Sequence, residues 1–200
     1  MVRVLAVSDE EVPGARARVR TLEVDLLLGA GDLPWDYLES LAETLGVPAA
    51  FVPGNHDPAV TPERPGPRGV VNLDGTVATI GGLRIAGLGG CVRYNGEGHQ
   101  YTQEQYDERA RTLVRAAGDA PVDLLLTHAP PLELGDEPDP SHQGVRALHG
   151  VLQALQPRWH LHGHIHPYGM HKADRQAGRT TIRNVIPWNL LEVEPATAGR

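Results

Sequence analysis

Short apolar runs recur along this chain, and several of them end in a small cluster of ionisable residues. Val2–Val7, Asp25–Leu28 and Ala49–Val52 read as buried strands. Between them the apolar spacing lengthens to a helical period. It predicts a helix over Pro13–Thr21, with Pro13 in the first turn, and another over Pro34–Leu45, closed by Gly46. Residues 58–69 carry many prolines and glycines and read as a loop. Val70–Asn72, Thr76–Ile80 and Leu83–Leu88 resume the strand pattern, with Gly81-Gly82 as a hairpin turn. A second loop, rich in glycine, spans Gly89–Gln100. Thr102, with Gln105 three positions on, forms a capping box for a helix to about Ala117. Val122–Thr127 is a strand, and Ser141 is expected to cap a helix over His142–Leu155. Arg158–His162, Thr180–Ile186 and Asn189–Val193 complete the strands, and Pro195–Arg200 reads as a frayed end.

The order β-α-β-α-β in the first half predicts a parallel sheet. The hairpin-linked strands that follow predict a second, partly antiparallel one. The chain is expected to be α/β and a single domain over 1–200, since 200 residues bury one sizeable core. A formal charge of −7 argues against a broad surface for extended nucleic acid or anionic membrane. An anionic substrate would need local positive charge, which bound metals supply. Cys91 is the only cysteine, which excludes an intrachain disulfide and a multi-cysteine zinc site. The apolar run at Met1–Val7 is too short for a signal peptide, and no run approaches the ~20 residues of a membrane helix. The expectation is a cytoplasmic protein with no membrane partner.

Five polar motifs follow strands: Ser8-Asp9-Glu10-Glu11, Gly31-Asp32, Gly54-Asn55-His56-Asp57, Thr127-His128-Ala129-Pro130 and Gly163-His164-Ile165-His166. Converging strand ends are where α/β proteins build sites. Together these offer carboxylates, a carboxamide and imidazoles, a ligand set for two metal ions sharing one carboxylate. In this order the motifs resemble the calcineurin-like metallophosphoesterase superfamily, whose pattern is D-x-H, G-D, G-N-H-D/E, a lone His after a strand, then G-H-x-H. The resemblance runs from Asp9 to His166. It implies a four-layer α/β/β/α sandwich of two mixed β-sheets flanked by helices. It also implies hydrolysis of a small phosphoester by a metal-bridging hydroxide. A phosphodiester is the first expectation and a phosphomonoester the alternative. Carried over by residue, it implies Asp9 and His166 on the first metal, Asp32 between both, and Asn55, His128 and His164 on the second. His56 would be the catalytic group at the leaving oxygen. The implied cofactors are two divalent ions, Mn²⁺ first, with Zn²⁺, Fe, Ni²⁺ or Mg²⁺ as alternatives. A non-catalytic scaffold, like the retromer subunit of this fold, is the competing reading, and the presence of His56 weighs against it.

One position departs from the pattern: Glu11 stands where the family has its first-motif histidine. Glu11 replaces the imidazole as a ligand, or points away and leaves the first site weak, or marks a lost activity. Asp57 is read as loop support. Some family members carry an acidic residue three positions after G-D; here that position is Trp35, so Asp36 receives no role. Arg93 and Tyr94, in the glycine-rich loop, are candidate substrate-binding residues, one to clamp a phosphate and the other to stack on a ring. His160 and His162 alternate with His164 and His166, but Gly163 is expected to break that register, which leaves the first two as packing residues. His142 is expected to open its helix with a capping or surface role. The metallo-β-lactamase pattern H-x-H-x-D-H is excluded by Pro167-Tyr168.

Overall fold

The computed structural model describes residues 1–170 and 172–196. The first half comprises β1 (Val2–Val7), α1 (Ala15–Val19), β2 (Leu26–Gly29), α2 (Trp35–Leu45), β3 (Ala49–Phe51) and β4 (Val71–Asn72). Then come β5 (Val77–Ile80), β6 (Leu83–Leu88), β7 (Cys91–Val92), β8 (Gln100–Tyr101) and α3 (Gln103–Ala117). The last part holds β9 (Leu124–Thr127), α4 (Leu148–Leu155), β10 (Trp159–His162), β11 (Arg175–Ala177), β12 (Thr180–Asn184) and β13 (Trp188–Val193). One sheet has the order β13-β1-β2-β3-β4, parallel except for β13. The other has the order β11-β12-β10-β9-β6-β5, with β6, β9, β10 and β12 parallel and antiparallel edges at β5 and β11.

Strand alternation builds the layers. In β1, Val4 and Ala6 face the second sheet, while Leu5 and Val7 face α1 and α2. In β9, Leu124 and Leu126 enter the space between the sheets, and Leu125 packs under α3 and α4. Three buried layers of side chains therefore separate four layers of backbone, the expected α/β/β/α sandwich. Strands buried on both faces read as continuous apolar runs, as Leu26-Leu27-Leu28 and Leu124-Leu125-Leu126 do. Among the described residues no helix is long and apolar enough to cross a membrane.

Some elements differ from expectation. α1 is shorter than the predicted helix and starts at Ala15. The helix expected from His142 begins only at Leu148. Residues 142–145 are held out of the helix, because Val145 bridges to Pro131 and the Asp136 carboxylate accepts the Gly144 N–H at 2.9 Å. Ser141 therefore caps no helix. The short strands β7, β8 and β11 went unread, since two or three residues carry too little periodicity. Of the expected frayed end, residues 197–200 lie outside the described residues.

Candidate metal centre

The strand ends of β1, β2, β3, β9 and β10 open on one rim, and the backbone bends sharply there. Asp9, Asp32 and His164 all adopt left-handed backbone, with φ of 62°, 56° and 68°. Such conformations cost of order 1–3 kcal/mol and persist where the surroundings impose them. The glycines explain how the motifs fit together. A Cβ on Gly163 would collide with the Ser8 hydroxyl and the Asp9 carboxylate, and one on Gly54 with the Asp32 carboxylate.

Asp32, His128 and His164 bring one ligand atom each to within 4.8 Å of one another. Backbone carbonyls settle which ring nitrogens are free. His128 Nδ1 donates to the Ala30 carbonyl at 2.8 Å, which turns Nε2 toward Asp32 Oδ2 at 3.3 Å and Asn55 Oδ1 at 3.0 Å. His164 Nε2 donates to the Ser141 carbonyl at 2.8 Å, which leaves Nδ1 for the site. Asn55 Nδ2 donates to the Tyr94 hydroxyl at 3.3 Å, so its Oδ1 faces inward. Beside this group lies Asp9, whose Oδ2 accepts the Ser8 hydroxyl at 2.5 Å and the His164 N–H at 3.0 Å. Its Oδ1 stands 3.7 Å from His166 Nε2. His56 is exposed, and its backbone N–H donates to Asp32 Oδ1 at 2.8 Å. Asp57 Oδ2 accepts the N–H groups of Gly54 and Asp32 at 2.7 and 3.0 Å, which ties two motif loops together.

The sequence profile of the family described as "Calcineurin-like phosphoesterase" matches residues 5–168. The chain belongs to this calcineurin-like phosphoesterase family. No curated protein matches it. Among solved structures, TT1561 of Thermus thermophilus is similar at 18% identity and a TM-score of 0.63, over 92% of this chain and 88% of that one. A hypothetical protein of the same organism is similar at 18% identity and a TM-score of 0.50, over 91% and 75%. Vps29 of Entamoeba histolytica, solved with Zn²⁺, gives 18% identity and 0.47, over 92% and 73%. At these identities the TT1561 likeness is one of fold.

In this family member, Asp9, Asp32, Asn55, His128, His164 and His166 come together on the rim. Glu11 does not join them: its side chain is exposed and makes no hydrogen bond or ion pair among the described residues. Its neighbour Glu10 meets the rim indirectly, with Oε1 at 3.0 Å from His166 Nδ1. Tyr94 reaches the site, but its hydroxyl serves Asn55. Arg93 is turned away; its guanidinium donates to the Gln100 carbonyl at 3.3 Å and to Gln105 Oε1 at 3.2 Å. Sequence reading missed Glu10, one acid beside another, and Ser141, which acts through its backbone. His160 and His162 are buried and lie outside the ligand group, with His162 Nδ1 held by the Gly163 carbonyl at 3.0 Å. Thr127 Oγ1 donates to the Ala129 carbonyl at 2.7 Å, so it accepts from His160 Nε2 at 2.7 Å and leaves His160 Nδ1 bare. A further group, Glu137, Asp139 and His142, has ligand-like spacing. Its acids are already engaged, Glu137 by Lys172 at 2.8 Å and Asp139 by Ser141 and His142.

The electrostatics of the rim suit a cation. Burial raises Asp9 above the usual carboxylate range, and the nearby Asp32 charge adds to that. Burial also opposes ionisation of Asp32, yet the His128 charge and hydrogen bond, together with the His56 backbone N–H and the His56 charge, outweigh it and hold Asp32 at about 2. Burial opposes a charged His128, but Asp32 and Asp9 raise it to about 10. A proton on His128 thus occupies the position of positive charge that these carboxylates require. The nitrogen and oxygen donors fit a divalent transition metal.

Proposed function

We propose that this protein hydrolyses a small phosphoester, most readily a phosphodiester, with two divalent ions of which Mn²⁺ is the first choice. The family and the ligand group support the coarser statement, a metal-dependent phosphoesterase. The observation that carries the reading is the convergence of Asp32, His128 and His164, with Asn55 Oδ1 beside them. These four would hold one ion, and Asp9, Asp32 and His166 the other. Bound there, the ions would neutralise charge on the phosphoryl oxygens and acidify a water toward neutral pH.

The rest falls to side chains of this chain. His128, His164 and His166 each direct one nitrogen inward because a carbonyl or carboxylate holds the other. Tyr94 keeps the Asn55 amide oriented. Glu10 orients the His166 ring, a role that accounts for a first motif without its histidine. His56 is exposed beside Asp32, where its ring would protonate the departing oxygen. A cytoplasmic location belongs to the same proposal, as the lone, buried Cys91 suits a reducing compartment.

The test is an assay of metal-stripped protein with a nitrophenyl phosphodiester and a nitrophenyl phosphomonoester. Mn²⁺, Zn²⁺, Mg²⁺ and Ni²⁺ are returned in turn, with His56→Ala as the control. Turnover that a metal restores and His56→Ala loses supports the proposal, and the faster ester names the class. No turnover with any metal favours the scaffold reading.

A further inference from the structure

A cleft of about 1130 Å³ starts at His56 and Asp32 and runs between the entry of α2 and the loop that ends at Val71. That is above the few hundred Å³ common for small-ligand pockets. Its walls are braced. The Arg68 backbone N–H donates to Glu39 Oε1 at 2.9 Å and its guanidinium to Oε2 at 3.0 and 3.1 Å, which straps the loop to α2. Gly66 lies so close to the Phe51 ring that a Cβ there would collide with it. Trp35 packs edge-on against the same ring, with centroids 6.4 Å apart. Four of the lining residues are prolines, whose fixed φ limits loop motion. The cleft is therefore preformed.

Its chemistry is selective. The exposed Arg64 guanidinium lies over the Trp35 ring at 4.5 Å, a flat cationic shelf. The Trp35 indole N–H is buried and has no partner among the described residues. Beyond the metal rim the lining acids Asp36, Glu39 and Glu63 outnumber the bases Arg64 and Arg68, and Arg68 is already paired with Glu39. A second phosphate or a polyanionic strand would meet net negative charge. A flat, uncharged ring would meet the shelf and the proline wall.

We propose that this cleft binds the organic leaving group of the substrate ester, a planar aromatic group without negative charge that stacks on Arg64. The inference rests on the phosphoesterase reading for its orientation, since His56 opens into the cleft and is the residue assigned to the leaving oxygen. It makes the enzyme selective for esters of aryl-sized or nucleobase-sized alcohols over esters of small alkyl alcohols.

Calorimetry of the metal-loaded protein with naphthylmethylphosphonate and with methylphosphonate, neither of which can be hydrolysed at carbon, tests the cleft directly. The naphthyl compound is expected to bind at least about tenfold more tightly. Val71→Trp, at a half-exposed lining position, fills the cleft, and Arg64→Ala removes the shelf; each should cut that preference to about threefold or less. Equal affinities in the native protein, or a preference that survives both variants, overturns the proposal. Turnover of 4-methylumbelliferyl and nitrophenyl phosphodiesters separates the two readings. Ring preference without turnover keeps the cleft and removes the phosphoesterase reading. Turnover without ring preference does the reverse.

Discussion

Glu10 Oε1 stands 3.0 Å from Nδ1 of His166, while Nε2 of the same ring stands 3.7 Å from Asp9 Oδ1. One ring nitrogen is held by a carboxylate and the other is offered to the rim. Carboxylate partners of this kind influence metal affinity by about 10–100-fold. Glu10→Gln should therefore weaken binding of Mn²⁺ beside His166 about tenfold, as counted by titration with electron paramagnetic resonance. Glu11→Gln, at an exposed position without a hydrogen bond or ion pair among the described residues, should change it by about twofold at most. The reverse ranking would return the role to Glu11.

His56 hydrogen-bonds to Asp32 only through its backbone N–H. His56→Ala should leave both metal equivalents in place and reduce turnover by about 10²–10⁴-fold. A loss of metal in this variant would show that the ring supports the site rather than the leaving group.

Tyr94 and Asn55 make a neutral hydrogen bond, which contributes about 0.5–1.5 kcal/mol. Tyr94→Phe should weaken binding of the metal beside Asn55 several-fold and lower stability by about 1 kcal/mol or less. Asn55→Ala, which removes the inward oxygen itself, should weaken it more. Unaltered affinity in Tyr94→Phe would deny that the hydroxyl orients the amide.

Metal uptake should release a proton from His128. Burial opposes its charge, but Asp32 and Asp9 raise it from 6.5 to about 10 in the metal-free protein. A folded value above the unfolded one adds stability that is fully present below pH 6.5 and is lost as pH rises toward 10. The melting temperature of metal-stripped protein should fall across that interval. Calorimetry at about pH 7.5 in buffers of different ionisation enthalpy should show about one proton released with the first metal. A melting temperature that rises through the interval would contradict the assignment.

His160 donates to Thr127 from inside the layer under α3 and α4, and its Nδ1 has no partner among the described residues. His160→Leu exchanges that ring for an apolar side chain, and Thr127 keeps its bond to Ala129. Stability should change by about 1 kcal/mol or less in urea unfolding, and metal binding should not change. His164→Leu should abolish binding of the ion held by Asp32, His128 and His164. Metal loss in His160→Leu would place His160 among the groups that support the rim.

The apolar runs and their polar ends determined most of the strands and the five motifs, and the family resemblance those motifs carry implied the sandwich and most of the rim. Those features are local: a period of two, a glycine where the backbone turns back, an ionisable residue directly after a strand. The tertiary structure decided between neighbours and across distance. Asp9 turns through a left-handed conformation, and that turn sends Glu10 rather than Glu11 to His166. Tyr94 meets Asn55 across 39 positions and Ser141 meets His164 across 23, pairings that no local spacing records. The helix expected from His142 yields to Asp136, Asp139 and a bridge to Pro131, because side-chain and cross-chain hydrogen bonds there satisfy the backbone in place of a helical turn. Local pattern sets where a strand ends; only packing in three dimensions sets which way the next side chain points.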